Sequence, residues 1–367
     1  MKEEHVIHEY REQTVKIVAP LLEWFSKQAR ILPWRENPTA YRVWISEIML
    51  QQTRVEAVKP YYERFMNHLP NIQELADVSE DELLKLWEGL GYYNRARNLQ
   101  RAARFVMEEY EGKLPEEYDQ LLKLPGIGSY TAGAIFSIAY NKKAAAVDGN
   151  VLRVISRVLL YNKDVLTQLA KKEIEELLMD IMPEDSAAFN QSLMELGALV
   201  CVPNGQPKCE ICPLEDLCRA HKNNCTGDYP KKTAKKARVI ENKTVLVIKD
   251  AERTAIRKRP AKGLLAGLYE FPVMEGHVSE EEVVSYLKSY GLESIRIKKL
   301  ENSKHIFSHR EWNMIGYEIK VDELAPLEKA DPQFLFTTVE DMSSRYPIPA
   351  AFLAYSRYLN VQLGIKS

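Results

Sequence analysis

At 367 residues, with 46% hydrophobic and 28% charged, the chain has room for two or three domains and falls outside the disordered, fibrous and collagen-like classes. Fifty basic residues against 52 acidic leave a net charge of -2, so bulk charge neither requires nor excludes nucleic acid. Met1–His5 opens without an apolar leader and no bilayer-length apolar run follows, so a cytoplasmic protein with no membrane association is expected.

From residue 10 to 225 the pattern is helical. Val15, Val18, Leu21, Leu22 and Phe25 recur at helical spacing, as do Leu83, Leu84 and Trp87, then Leu99, Ala102, Ala103 and Val106. Breaks fall at Leu32-Pro33, Leu69-Pro70, Gly89 to Gly91, Lys113 to Pro115, Pro125-Gly126 and Asp148-Gly149. On one apolar stretch, Val43-Trp44-Ile45, a single acid follows at Glu47; by itself it reads as the polar edge of an amphipathic helix.

Leu124-Pro125-Gly126-Ile127-Gly128-Ser129-Tyr130-Thr131 sets two glycines between helical stretches. The next helix is expected to begin at Ser129 or Tyr130, with its free N–H groups facing the turn. Such an end can hold a phosphate, although a Gly-x-Gly turn taken alone is more often a plain connector. Twenty residues on, Val147-Asp148-Gly149-Asn150-Val151 offers Asp148 as an N-cap, which would also restrain its carboxylate.

All five cysteines fall between Cys201 and Cys225, a bunching that suits a metal site rather than a disulfide framework. Cys201, Cys209, Cys212 and Cys218 can surround one compact [4Fe-4S] cube; a zinc ribbon would offer two Cys-x-x-Cys knuckles, and only Cys209 and Cys212 form one. On spacing alone Cys225 could stand in for Cys201.

Gly227 to Arg238, with four lysines and little apolar content, reads as an exposed linker. Beyond it the period changes. Thr244–Ile248 and Thr254–Ile256 read as strands, Ser279–Tyr290 as a helix opened by a capping box, Ile295–Ile297 and Met314–Val321 as strands, and Pro349–Leu359 as a closing helix. The expected fold class is multidomain: an all-α domain over 1–225, a linker over 226–240, and a smaller α+β domain over 241–367.

The glycine hairpin, the Val-Asp-Gly-Asn-Val segment and the cysteine cluster, in that order, resemble the endonuclease III superfamily of helix-hairpin-helix DNA glycosylases. Within it the chain is similar to the MutY-type adenine DNA glycosylases from about residue 20 to about residue 360. Ser46-Glu47-Ile48-Met49-Leu50-Gln51-Gln52-Thr53 is a signature of that type. One departure is visible, seven residues between the first two cluster cysteines where the family usually has six, in the loop Val202–Lys208.

The resemblance implies a monofunctional base-excision enzyme that hydrolyses the N-glycosidic bond of adenine opposite 8-oxoguanine or guanine in double-stranded DNA, working as a monomer. Glu47 is implied to be the general acid and Asp148 the anion that stabilises an oxocarbenium-like sugar, with Tyr130 and Asn150 orienting them. Two carboxyl groups in unlike environments are what such chemistry asks for. Trp34, Arg35, Leu50, Val55 and Gln191 are implied to line the adenine pocket. Gln52, Tyr92, Gly126, Gly128 and Lys208 are implied to touch DNA, and the four cysteines to hold a [4Fe-4S] cluster. Members that also cut the strand carry a Schiff-base lysine where this chain has Tyr130, so the reaction is expected to stop at base removal.

The second domain resembles a Nudix fold in Gly263–Pro272, yet the helix at Glu280–Lys288 lacks the hydrolase metal ligands. It therefore reads as a recognition module, and Phe307-Ser308-His309 is implied to recognise 8-oxoguanine. The rivals are a thymine or oxidised-pyrimidine glycosylase, disfavoured by Tyr130 and Phe307-Ser308-His309, and a non-catalytic iron-sulfur DNA-binding or redox-sensing protein, disfavoured by the presence of both Glu47 and Asp148.

Overall fold

The computed structural model describes residues 10–234 and 237–361. The start Met1–His5 and, within the expected linker, Lys235 and Lys236 lie outside the described residues. The chain packs as two compact units. One holds the chain up to Ala76 together with Asn98–Ala234; the other holds Asp77–Arg97 and the chain after the linker.

The first unit is helical, as its apolar spacing predicts. Its helices include Val18–Gln28, Ala40–Leu50, Val55–His68, Ser129–Ala134, Gly149–Leu159, Gln168–Asp180 and Ser186–Leu199. Several starts are fixed by side chains that accept from otherwise unpaired N–H groups: Thr39 from Arg42, Thr167 from Ala170 and Asp185 from Ala188. One core gathers Leu21, Ile155, Val158, Leu178, Phe189, Leu193 and Leu196, so the helices that carry Asp148 at one end and Gln191 midway share a single apolar seam.

The second unit is built on a seven-stranded mixed sheet of β1 (Val239–Lys249), β2 (Thr254–Lys258), β3 (Tyr269–Glu270), β4 (Val273–Glu275), β5 (Ser294–Ile306), β6 (Arg310–Val321) and β7 (Phe334–Thr337). The main path runs β3-β2-β1-β6-β5, with β4 on β1 and β7 on β2; β1 and β6 are parallel. Both faces of β1 are covered: Val245 and Val247 belong to one core, Leu246 and Ile248 to the other. That explains why its sequence reads as an unbroken apolar run. The helix Glu280–Ser289 starts at the expected capping box, Ser279 with Glu282.

Several expectations are adjusted, and β1 begins at Val239, inside the expected linker. β5 extends from the expected Ile295–Ile297 to Ile306, because an edge strand can carry Lys298, Lys299 and Lys304 and so hides its alternation. β6 begins at Arg310, four residues before the expected start. The closing helix over 349–359 is a succession of short turns, Ala350–Phe352, Leu353–Ser356 and Arg357–Leu359. Among the described residues no helix is long and apolar enough to cross a membrane.

Candidate active site

Glu47 sits on Ala40–Leu50 with 5% of its surface exposed. Burial pushes its carboxyl up to about 7, and the nearby charge of Asp148 acts in the same direction; the Tyr130 hydroxyl and Arg35 oppose the shift. Tyr130, in the first turn of Ser129–Ala134, donates its O–H to Glu47 Oε2. Burial and the charges of Glu47 and Asp148 raise the phenol well above its usual range, so it stays a donor.

Asp148 caps Gly149–Leu159. Its Oδ1 accepts from the Asn150 and Val151 backbone N–H groups, each at 2.8 Å, and its Oδ2 from Asn150 Nδ2 at 2.7 Å. Burial raises this carboxyl, while these three bonds and Arg153 favour the anion. The segment leading to Asp148 is extended rather than helical and is held by a buried side chain. Asn190 Oδ1 accepts from Ala146 N at 3.0 Å, and its Nδ2 donates to Ala144 O at 2.7 Å. Two glycines make room around it. A Cβ on Gly133 would fall 2.1 Å from Ala145 O, and one on Gly197 would fall 2.5 Å from Asn150 Cβ.

The hairpin has the expected form, with Gly126 at φ +80° and the helix starting at Ser129; a Cβ on Gly126 would also meet Asn98 at 2.7 Å. Gly128 is the N-cap, and a Cβ there would stand in open space.

Around the expected adenine pocket, Trp34 is buried and meets Tyr62 edge-on at 5.3 Å between ring centres. Leu50 and Val55 end one helix and begin the next, both half-buried, and Gln191 is half-buried on Ser186–Leu199. Arg35 Nη2 donates to Glu195 Oε2 at 3.0 Å; Arg30 donates to the same carboxylate through N, Nε and Nη2. Burial alone would raise Glu195, but the two guanidiniums overcome it and hold the carboxyl at about 2. Sequence reasoning missed Glu195, Arg30, Asn190 and Arg153. Glu195 carried a signal of the kind Glu47 did, an acid on an apolar helix and one turn from Gln191, but no motif drew attention to it.

Gln52, exposed, holds φ +59°, and Tyr92, 47% exposed, holds φ +48°, conformations that non-glycine residues rarely take. In the second unit the Tyr92 hydroxyl lies 3.1 Å from Ser308 Oγ. Phe307 stacks edge-on between His305 and Trp312, while Ser308 and His309 are exposed at the β5–β6 turn.

Cys201, Cys209, Cys212 and Cys218 line one small cavity together with Arg157, Lys208 and His221; Cys225 is not in its wall. Arg157 Nη1 donates to Cys201 Sγ at 3.2 Å. Burial and the neighbouring sulfurs raise the Cys212 thiol to about 12 and raise Cys209 and Cys218 as well, so these three resist ionising without a cation among them. Among the described residues no three His, Cys, Asp or Glu side chains are grouped to hold a metal ion. Four thiols spread around a cavity fit a cube of iron and sulfur better than one ion. Arg153 donates to Cys201 O, Gly149 O, Gly197 O and Asn150 Oδ1, which ties this loop to the residues around Asp148.

Comparison with known proteins places the chain in a family. The HhH-GPD superfamily base excision DNA repair protein family matches residues 45–184, and the NUDIX domain family matches 244–357. Adenine DNA glycosylase of Mus musculus is 35% identical, over 88% of this chain and 73% of its own. That of Homo sapiens is 33% identical over 94% and 74%, and that of Buchnera aphidicola subsp. Schizaphis graminum is 36% identical over 79% and 83%. Among solved structures, a thermostable thymine-DNA glycosylase superposes with TM-score 0.52 at 31% identity, covering 59% of this chain and 98% of that one. A trapped endonuclease III–DNA covalent intermediate gives 0.50 at 27%, covering 58% and 98%.

Proposed function

Because the chain belongs to the adenine DNA glycosylases, enzymes of DNA base-excision repair built on the helix-hairpin-helix fold with a C-terminal Nudix-like domain, we propose that it removes adenine paired with 8-oxoguanine, or with guanine, and leaves the strand uncut. The observation that carries the reading is the meeting of buried Glu47 with half-buried Tyr130 and the charge of Asp148.

The target nucleotide must leave the duplex to reach buried groups. Gln52 and Tyr92 are the residues for filling the vacated stack, and their strained, exposed backbones support that use. Gly126, Gly128 and Lys208 meet the phosphates. Trp34, Arg35, Leu50, Val55 and Gln191 enclose the adenine.

A carboxyl with a midpoint near 7 holds a proton over part of the population at neutral pH, and Glu47 gives it to N7 of the leaving purine. The Tyr130 O–H fixes the orientation of that carboxyl. As the glycosidic bond lengthens, positive charge gathers on the sugar. Asp148, ionised and held by Asn150 and Val151, faces that charge. Tyr130 offers no amine, so no Schiff base forms and the abasic strand stays whole.

Phe307, Ser308 and His309 read the 8-oxoguanine, with Phe307 packed as the root of the turn and the other two exposed to the base. Cys201, Cys209, Cys212 and Cys218 would hold a [4Fe-4S] cluster that cross-links the Cys201–Cys218 loop. The protein works as a monomer on double-stranded DNA; its five unpaired cysteines suit the cytoplasm.

Single-turnover assays on duplexes carrying A opposite 8-oxoguanine, A opposite G and T opposite G test the reading. Alkali-dependent cleavage at the adenine is expected, with no release of thymine and none of adenine by Asp148→Asn. Strand cutting without alkali, or equal release of thymine, would overturn it.

A further inference from the structure

The turn that presents Tyr92 has a local frame and, beside it, contacts from residues remote in sequence in the same unit. Its own frame is tight. Trp87 Nε1 donates to Gly91 O at 3.2 Å, and Arg95 Nη2 donates to Leu90 O and Gly91 O at 3.1 Å each. The Arg95 guanidinium also lies over the Trp87 and Tyr92 rings.

Beside this frame lies an ion pair with one member buried and the other half-buried. Glu88 is 3% exposed; its Oε1 accepts from Ile348 N at 2.8 Å and its Oε2 from Lys85 Nζ at 2.9 Å. Lys85 Nζ has two further acceptors, Met342 O at 3.3 Å and Tyr346 O at 3.1 Å, so all three of its donors are used. A buried ion pair is poor value for stability, since an apolar pair of the same volume does as well or better. What it does supply is a register: these bonds form when the 85–88 turn sits against 342–348.

We propose that Lys85 and Glu88 are positioning residues for lesion discrimination, fixing the Tyr92 wedge beside Ser308 so that the two read the 8-oxoguanine pair as one rigid edge. A wedge held at a set distance from a base-reading hydroxyl can enter the stack only where that hydroxyl finds its partner. A wedge free to wander loses that coupling, so insertion opposite 8-oxoguanine falls toward the level opposite guanine while the chemistry is untouched.

The inference rests on the proposed roles of Tyr92 and Ser308, and the experiment separates the two. Single-turnover rates are measured opposite 8-oxoguanine and opposite guanine for Glu88→Gln, for Lys85→Met/Glu88→Leu, and for Val283→Ala. The double variant removes both charges and keeps the volume. Val283→Ala loosens the other core of the same unit. The expected result is that both Glu88 variants lower the 8-oxoguanine to guanine rate ratio by at least about tenfold, leave the guanine rate within about threefold, and keep the ratio high in Val283→Ala. Fluorescence of 2-aminopurine placed beside the 8-oxoguanine should fall with the ratio, since wedge insertion is what unstacks it. A ratio unchanged in the Glu88 variants, or lowered equally by Val283→Ala, overturns the inference. Tyr92→Ala and Ser308→Ala that both leave the ratio unchanged would instead overturn the reading beneath it.

Discussion

A carboxyl group that must hold a proton near neutral pH is costly to ionise where water is scarce, and Glu47 shows that cost directly. Its folded midpoint, about 7, lies above the ordinary 4.5, so the folded state binds this proton more tightly than the unfolded chain. The contribution is therefore intact below pH 4.5 and is lost as pH rises through about 7; a shift of this size is worth at most ~3 kcal/mol. Glu47→Gln keeps the shape and cannot ionise. Its thermal midpoint should decline less between pH 5 and pH 8 than that of the parent, and above pH 7 it should be the more stable protein even though base release is abolished. Melting curves of both proteins at four or five pH values check this, and parallel curves would show that Glu47 is not the group responsible. Base release by the parent should fall about tenfold per pH unit above the same midpoint. This residue was legible because the motif around it is specific, whereas Glu195, equally buried and bonded to two arginines, stood in a stretch that carries no motif.

One level up, the catalytic geometry depends on elements that approach more closely than side chains ordinarily allow. Gly197 on Ser186–Leu199 faces Asn150 on Gly149–Leu159, and a methyl group there would stand 2.5 Å from Asn150 Cβ. Asn150 in turn donates to Asp148 Oδ2. Gly197→Ala should therefore push Asn150 and tilt the aspartate, lowering single-turnover base release by about a hundredfold, as displacements near 1 Å do. Affinity for the duplex should change far less. Gly227→Ala, where a Cβ meets nothing within 4 Å, should leave both unchanged. Equal loss of affinity and rate would mean that the helices separate rather than that Asn150 moves. Helix existence and the helix breaks were readable from apolar spacing and from Gly and Pro. β3 and β4, two and three residues long, are too short to alternate, and β7 on β2 was equally hidden. The close approach at Gly197 was not readable, because a glycine within a helix looks the same whether it faces solvent or a neighbour's Cβ.

At the scale of the whole molecule, sequence order and folding unit part company at Asp77–Arg97. The segment lies among helices, and its apolar spacing, Leu83, Leu84 and Trp87, gives no hint that it packs with the sheet domain. Its polar partners are what assign it. Besides the Glu88 and Lys85 bonds, Asp81 accepts from Lys258 Nζ at 2.6 Å and from Tyr269 O–H at 2.9 Å. Partners some 180 to 260 positions away leave no periodic trace in the chain. Native-state hydrogen exchange tests the assignment, since amides of one cooperative unit open together. As denaturant is raised, the amides of Leu83, Trp87 and Leu90 should merge with those of β1 and β6, not with those of Gly149–Leu159. Lys85→Met/Glu88→Leu should weaken that linkage first at Leu90, next to the wedge. If the three amides instead follow the Gly149–Leu159 helix, the segment folds with the helical unit, and Tyr92 takes its position from the side of the protein that holds Glu47 and Asp148.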